Sequence, residues 1–428
     1  MNESNKVNLE VIPFKEMVPW ESASEMDFLI RITALAIQIE KDRPQLNLGL
    51  VLDRSGSMSG QKIKKAKDAA CYCVDQLMET DRISITIFDN TVEVIVPSSE
   101  AQERRKIKEA IRKINSGGTT ALHAAWVTGA KQVAECVNRQ CLNRVLLVTD
   151  GLANEGVTDP GVIVAQAREL YERSISTTTI GIGNDFNEDL LVAMAKGAGG
   201  NSWFVEGPED FQRIFETEME GLVRETCANV SMKIEPAQGV EILDVLNDFE
   251  RTPDGSYSLP ALIAGDPLDV VVRMKSPGGA PGRFRCFGLS IQWSEHGSGK
   301  RHSMACSASI TFAREQEAAA QAPNREVEKA VVFLEGARMK RRAMEYMDRG
   351  DFAPAEGLFR DHLERLGRIA AQTGDLSINA ERQEILSLSR SIEERKDLPY
   401  VRKAMSYQTT YVQRGRSEKK RPLDSESK

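Results

Sequence analysis

Asp53, Ser55 and Ser57 stand at alternate positions in DRSGSM, directly after the apolar run LNLGLVL. One carboxylate and two hydroxyls offer only oxygen donors. That set suits a hard cation such as Mg2+, with Mn2+ or Ca2+ as substitutes, and suits poorly the metals that prefer thiolate or imidazole. On a near-extended backbone the three side chains would project to one side, and Gly56 lets the loop turn. One loop does not fill a coordination shell. SGGTTALHAA supplies Thr119 after a glycine pair that permits a tight loop, with Thr120 as the alternative, and RVLLVTDGLANEG supplies Asp150 at the end of an apolar run. Ionised Asp53 and Asp150 balance one divalent ion, and the hydroxyls of Ser55, Ser57 and Thr119 add no charge. A cation held mainly by neutral hydroxyls stays electrophilic, so an open coordination position favours an Asp or Glu from a protein partner.

The surrounding elements must bring these residues together. LNLGLVL is followed by QKIKKAKDAACYCVDQLM, with Ile63, Ala66, Ala70, Val74 and Leu77 at helical spacing, and then by RISITIF. Strand and helix patterns continue to alternate through RVLLVTD, STTTIGIG and SWFVEG. Over 45–225 this predicts an α/β domain with a Rossmann-like, doubly wound parallel sheet. Ligands in such sheets sit beyond the carboxyl ends of the strands, where the residues after Leu52 and Val148 emerge. Period-two alternation in DPLDVVVRMK, FRCFGLSIQW and HSMACSASITF, with turn-forming PDGS and SPGGAPG between strands, predicts half-buried strands of a β-sandwich over 226–315. Strands within 1–44 are expected to complete it. Residues 323–412 carry helical periodicity broken at DRGDFAP and are expected to form a helical hairpin, followed by a polar, locally basic, disordered tail over 413–428.

With these elements in place, the chain resembles the von Willebrand factor type A domains. Their metal-ion-dependent adhesion site is written D-x-S-x-S, then T, then D, and here it reads Asp53-Arg54-Ser55-Gly56-Ser57, Thr119 and Asp150. The resemblance implies direct metal contacts from Ser55 and Ser57, and from Thr119 in the ligand-competent state. It implies that Asp53 and Asp150 act largely through water, and that a partner's Asp or Glu completes the shell. The order of domains is similar to that of inter-alpha-trypsin-inhibitor heavy chains and of bacterial multidomain proteins. Proteins of that bacterial kind act beside ATPases, kinases and phosphatases or in stress and defence complexes. The function this implies is a non-enzymatic, metal-dependent adaptor.

Composition narrows the field. Hydrophobic residues are 41% and charged residues 28% of 428, with a net charge of −7, which gives no electrostatic reason to expect nucleic acid. The seven cysteines are scattered without a C-x-x-C pair, reading as buried thiols of a reducing compartment. No stretch approaches the ~18 consecutive apolar residues of a spanning helix, and MNESNKVNLEV lacks a signal-peptide core, so a cytoplasmic protein is expected. Two rival functions remain. In one, the sandwich and helices bind partners and metal only stabilises a loop. In the other, Asp53 is the nucleophile of a Mg2+-dependent phosphotransferase, with Asp150 or Asp185 holding the ion; Ser55 then stands where such enzymes usually place a second acid. GSMSGQK fails the spacing of a phosphate-binding loop. Ser57 or Ser59 could instead cap a helix beginning near Gln61. Lys62, Lys64, Lys65 and Lys67 read as a solvated basic face, with steering of an acidic partner as the alternative. His123 reads as a helix-surface residue, and Trp126 and Trp203 as packing.

Overall fold

A computed structural model describes residues 7–35, 44–138, 141–151, 155–183, 186–205, 210–295 and 299–415. Asp185 and residues 416–428 of the expected tail lie outside the described residues. The chain divides into two compact units, one formed by the α/β region and the other by the flanking segments on both sides of it.

In the α/β unit six strands run in the order Val92–Glu100, Arg82–Phe88, Leu46–Asp53, Leu142–Thr149, Ile175–Ile182 and Gly199–Val205. The sheet is mixed, not wholly parallel: Val92–Glu100 pairs antiparallel with Arg82–Phe88. Only Asp89–Thr91 separates the two strands, too short for the crossover a parallel strand needs. Every residue of Leu46–Asp53 and of Leu142–Thr149 is buried, as expected of strands covered on both faces. The chain leaves Leu46–Asp53 toward one neighbour and returns to the other, so Asp53 ends the strand at which the strand order reverses. Close approach of the helix Leu122–Ala134 to this strand depends on glycine: a Cβ at Gly129 would lie 2.2 Å from Val51 Cγ2.

The second unit is a β-sandwich. One sheet orders Val7–Pro13, Ser24–Ala34, Pro267–Ser276 and Glu241–Val245; the other is built on Glu225–Pro236, Gly282–Glu295 and Arg301–Ala313. Phe28, Ile30 and Ile32 face the sandwich core, where the Phe28 ring meets Phe287 edge-on at 5.1 Å. The expectation of half-buried strands fails for Ser24–Ala34 and Pro267–Ser276, whose Leu29 and Val271 are also fully buried. Their second face packs on helices through Val331, Val332 and Phe359.

Those helices are four, Arg325–Asp348, Phe352–Thr373, Leu376–Glu393 and Leu398–Gln413, where a hairpin was expected over 323–412. Two further breaks explain the difference. Gly374 closes one helix at φ 64°, and the Asp375 carboxylate accepts from the Ser377 and Ile378 amides to open the next. Asp397 and Pro399 mark the last break. Gln413 still belongs to the last helix, so the region assigned to the tail begins as ordered structure. None of the described helices is long and apolar enough to cross a membrane.

Within this bundle His362 is 7% exposed, and its Nε2 has no hydrogen-bond partner among the described residues. Burial pushes its pKa down to about 4; Glu381 opposes the shift, and Lys340 and Arg365 add to it. A histidine buried neutral stabilises the fold fully above the unfolded pKa, and that contribution is lost as pH falls from about 6.5 toward 4. Relative to His362→Gln, the native chain should therefore lose about 2–3 kcal/mol between pH 7 and pH 4.5. Parallel urea unfolding curves for the two proteins at both pH values measure this; a constant difference would show that the histidine is not buried neutral.

Candidate metal centre

Strand register brings the first two acids together. Leu52 lies opposite Val148, so Asp53 emerges beside Thr149 and one residue short of Asp150. Thr149 Oγ1 donates to Asp53 Oδ2 at 2.6 Å, and the Ser55 amide donates to Asp53 Oδ1 at 2.8 Å. The backbone beyond Asp53 is not extended, as the alternate spacing suggested. It enters a 3-10 turn over Gly56–Met58, and that turn folds Ser57 back so that its Oγ lies 3.1 Å from Ser55 Oγ. Ser57 Oγ then donates to Asp150 Oδ1 at 2.7 Å. Asp53, Ser55, Ser57 and Asp150 are thus linked in sequence, through the Ser55 amide and then through the two hydroxyls, at the carboxyl end of the sheet. The helix that follows begins at Gln61, but its N-cap is Gly60, with φ 75° and no side-chain cap, so neither Ser57 nor Ser59 serves as the cap.

The third loop is stitched to the first by backbone bonds. The Gly117 amide donates to the Arg54 carbonyl at 2.7 Å and the Gly56 amide to the Gly118 carbonyl at 3.1 Å. Gly118 adopts φ 80°, and a Cβ there would meet the Asp89 side chain at 2.9 Å, so glycine is required. Arg54 Nε approaches Asp89 Oδ2 at 3.1 Å, tying the loop after Phe88 to the same assembly. Of the threonine pair, Thr119 is exposed and its Oγ1 donates to Glu155 at 3.1 Å. Thr120 is buried, with its Oγ1 3.0 Å from where a Cβ on Gly151 would stand. The structure therefore gathers Asp53, Ser55, Ser57 and Asp150, brings the Thr119 loop alongside, and turns Thr120 rather than Thr119 toward the Asp150–Gly151 turn.

Two contributors escaped the sequence reading. Thr149, fully buried, receives the Gly151 amide at 3.1 Å while bonding Asp53, and so couples the two acidic turns. Its only sequence signal is its place before Asp150. Lys62, expected to be solvated, sets its Nζ 2.6 Å from Asp150 Oδ2. Lys67 is likewise engaged, donating to the Arg112 and Ile114 carbonyls at 3.1 and 3.0 Å. His123 bonds Gln166 at 2.7 Å, and Trp126 and Trp203 are buried packing residues, as expected.

Electrostatics at the site call for a cation. Asp53 and Asp150 are both fully buried. Burial pushes the Asp53 pKa up to about 6; the hydrogen bonds from Thr149 and Ser55 oppose this, and neighbouring Asp150 adds to it. Among the described residues no three His, Cys, Asp or Glu side chains converge, so an ion here would rely on hydroxyls as well as acids. The all-oxygen donor set, and the ammonium already drawn to Asp150, fit a hard divalent cation.

Comparison with known proteins agrees with this geometry. Residues 47–217 match the family model of the von Willebrand factor type A domain. An uncharacterised protein of Synechocystis, sll0103, is 27% identical over 54% of this chain and 54% of its own length. Inter alpha-trypsin inhibitor heavy chain 4 of Mus musculus is 28% identical over 36% of this chain and 17% of its own length. The chain thus spans about half or less of the length of these relatives. A solved von Willebrand factor type A protein from Catenulispora acidiphila, 15% identical, superposes over 91% of both chains with a TM-score of 0.68, so the similarity in fold extends through the sandwich and helices.

Proposed function

We propose, from the premise that residues 47–217 are a von Willebrand factor type A domain, that this chain is a metal-dependent protein-interaction module. Its ligand is an Asp or Glu side chain of a partner, which completes the coordination of Mg2+ at Asp53, Ser55, Ser57 and Asp150, with a hydroxyl from the Thr119–Thr120 loop as the further donor. The observation that carries this reading is the run of contacts from the Asp53 carboxylate, held by the Ser55 amide, through the Ser55 and Ser57 hydroxyls to Asp150, gathered at the carboxyl end of the sheet. The metal supplies a positive centre for a carboxylate; the protein supplies its position and keeps its own donors largely neutral.

Binding rather than turnover is supported by the state of Asp53. A phosphoryl-accepting carboxylate must be reached by the phosphoryl group, whereas the Asp53 side chain is wholly buried. All seven cysteines are free thiols, which supports a reducing compartment such as the cytoplasm.

Capture of a carboxylate-bearing partner from the native host, run with Mg2+ and again with chelator, tests the proposal. Partner retention should fall at least about tenfold in chelator, the loss of roughly 1.4 kcal/mol of binding. Equal retention in both would reject a metal-mediated contact. Loss of retention on deleting residues 323–428, with metal present, would favour the scaffold reading instead.

A further inference from the structure

We infer that Lys62 is a built-in counter-cation of the site, which neutralises Asp150 in the metal-free protein and competes with the divalent ion for it. This rests on the metal-binding reading above and sharpens it. Lys62 lies on the first turn of the helix Gln61–Gln76, two residues beyond the Gly60 that starts it. Its side chain reaches back to the strand ends, 27% exposed, and its Nζ sits 2.6 Å from Asp150 Oδ2, an oxygen of a carboxylate with no exposure at all. The same carboxylate accepts Ser57 Oγ through its other oxygen. Lys62 is therefore one contact away from the hydroxyl that would hold the metal.

Gly183, directly after Ile182, lies beside the ammonium. Gly183, at φ 69°, has no side chain there, and a Cβ on it would begin 3.4 Å from Lys62 Nζ. The lysine thus lies against Asp150 rather than on the solvated face on which Lys64 stands exposed.

Charge counting gives the consequence. Asp53 and Asp150 together with Lys62 leave one net negative charge. A divalent ion added to them leaves one net positive charge, which a partner's carboxylate would neutralise. Lys62 therefore lowers the affinity for the ion while raising the demand of the loaded site for an acidic ligand. An ammonium suits this role because it is a compact point charge on a flexible stem, able to give up Asp150 oxygen to a metal-bound water without unfolding the helix.

The test is calorimetric titration of the full chain with MnCl2, comparing the native protein with Lys62→Met, Lys62→Gln and Lys62→Arg. The two neutral variants should bind Mn2+ at least tenfold more tightly than the native chain, and Lys62→Arg within about threefold of it, since tenfold is the work of about 1.4 kcal/mol against one retained charge. In chelator, thermal unfolding of the neutral variants should begin at lower temperature than that of the native chain. A purely structural salt bridge predicts that loss of stability but no tighter metal binding. If the native chain binds Mn2+ and the neutral variants bind it equally or more weakly, the competing role is overturned and the metal site stands. If Lys62→Arg tightens binding as much as Lys62→Met, charge is not the cause and the inference fails. Tight binding by the neutral variants alone supports it. Absence of Mn2+ binding in every protein, each folded by circular dichroism, overturns both this role and the metal-binding reading. Lys62→Gln keeps the test open if Lys62→Met does not fold.

Discussion

Replacing Asp53 with Ala is expected to weaken Mn2+ binding by at least ~100-fold and to abolish metal-dependent capture of an acidic partner, while the chain stays folded. Loss of an outer-shell partner alone typically costs 10–100-fold in metal affinity. Asp53 would contribute charge as well as position, being one of the two buried carboxylates at the candidate site. Its oxygens also fix the geometry of the site, because Oδ1 holds the Ser55 amide and Oδ2 holds Thr149. The cost to folding is smaller because two effects oppose. Removing the carboxylate leaves two donors without their acceptor, about 1–3 kcal/mol each at most. It also removes a buried acid whose pKa stands at about 6 even with those hydrogen bonds in place, so the variant is relieved of the cost of burying that charge. Titration calorimetry and chelator-matched thermal unfolding separate the two quantities. Asp53→Asn, which keeps an oxygen for Thr149 but not the charge, should fall between the native chain and Asp53→Ala. Native-like Mn2+ affinity in Asp53→Ala would remove this carboxylate from the site.

How much of this was legible before any coordinates depends on whether the information is local. The pentad was legible because its residues are adjacent and follow a run whose burial on both faces reads directly as apolar sequence. Asp150 was legible for the same reason, as the first acid after a second such run. The alternate spacing named side chains that do converge, but for an inexact reason: a 3-10 turn, not an extended segment, folds Ser57 onto Ser55. Which threonine faces the Asp150 turn was not legible, since one residue along a loop reverses a side chain's direction and only the stitching of Gly117 and Gly118 to the first loop sets its phase. Lys62 was hidden for a different reason. Four lysines within six residues look alike as a solvated face, and only the third dimension shows that one of them lies over Asp150. The antiparallel edge strand and the four C-terminal helices were obscured by weak punctuation, a short turn in one case and Gly374-Asp375 and Asp397-Leu398-Pro399 in the other.

The largest effect on folding is expected in that helical bundle, at Lys340. Its ammonium is 1% exposed and donates to Glu381 Oε1 at 3.1 Å and Gln408 Oε1 at 3.0 Å, with Glu384 Oε1 at 3.9 Å. Glu381 is itself 2% exposed, so the pair lies where water cannot replace a lost partner. Desolvating two charges offsets most of their attraction, and the pair as a whole contributes little net stability. Breaking it is another matter. Lys340→Met deprives the buried Glu381 carboxylate of its ammonium and should cost about 3–5 kcal/mol. The double variant Lys340→Met, Glu381→Met removes both buried charges together and should recover most of that loss. Urea unfolding midpoints of the native chain, both single variants and the double variant complete the cycle. An additive double variant, as unstable as the sum of the singles, would show that each charge is stabilised by its own surroundings and not by the other. Recovery would place the pair among buried polar contacts that hold the register of helices rather than the depth of the fold. The candidate metal-site residues belong to the other unit, and Mn2+ affinity in Lys340→Met is expected to match that of the native chain at temperatures where the bundle remains folded.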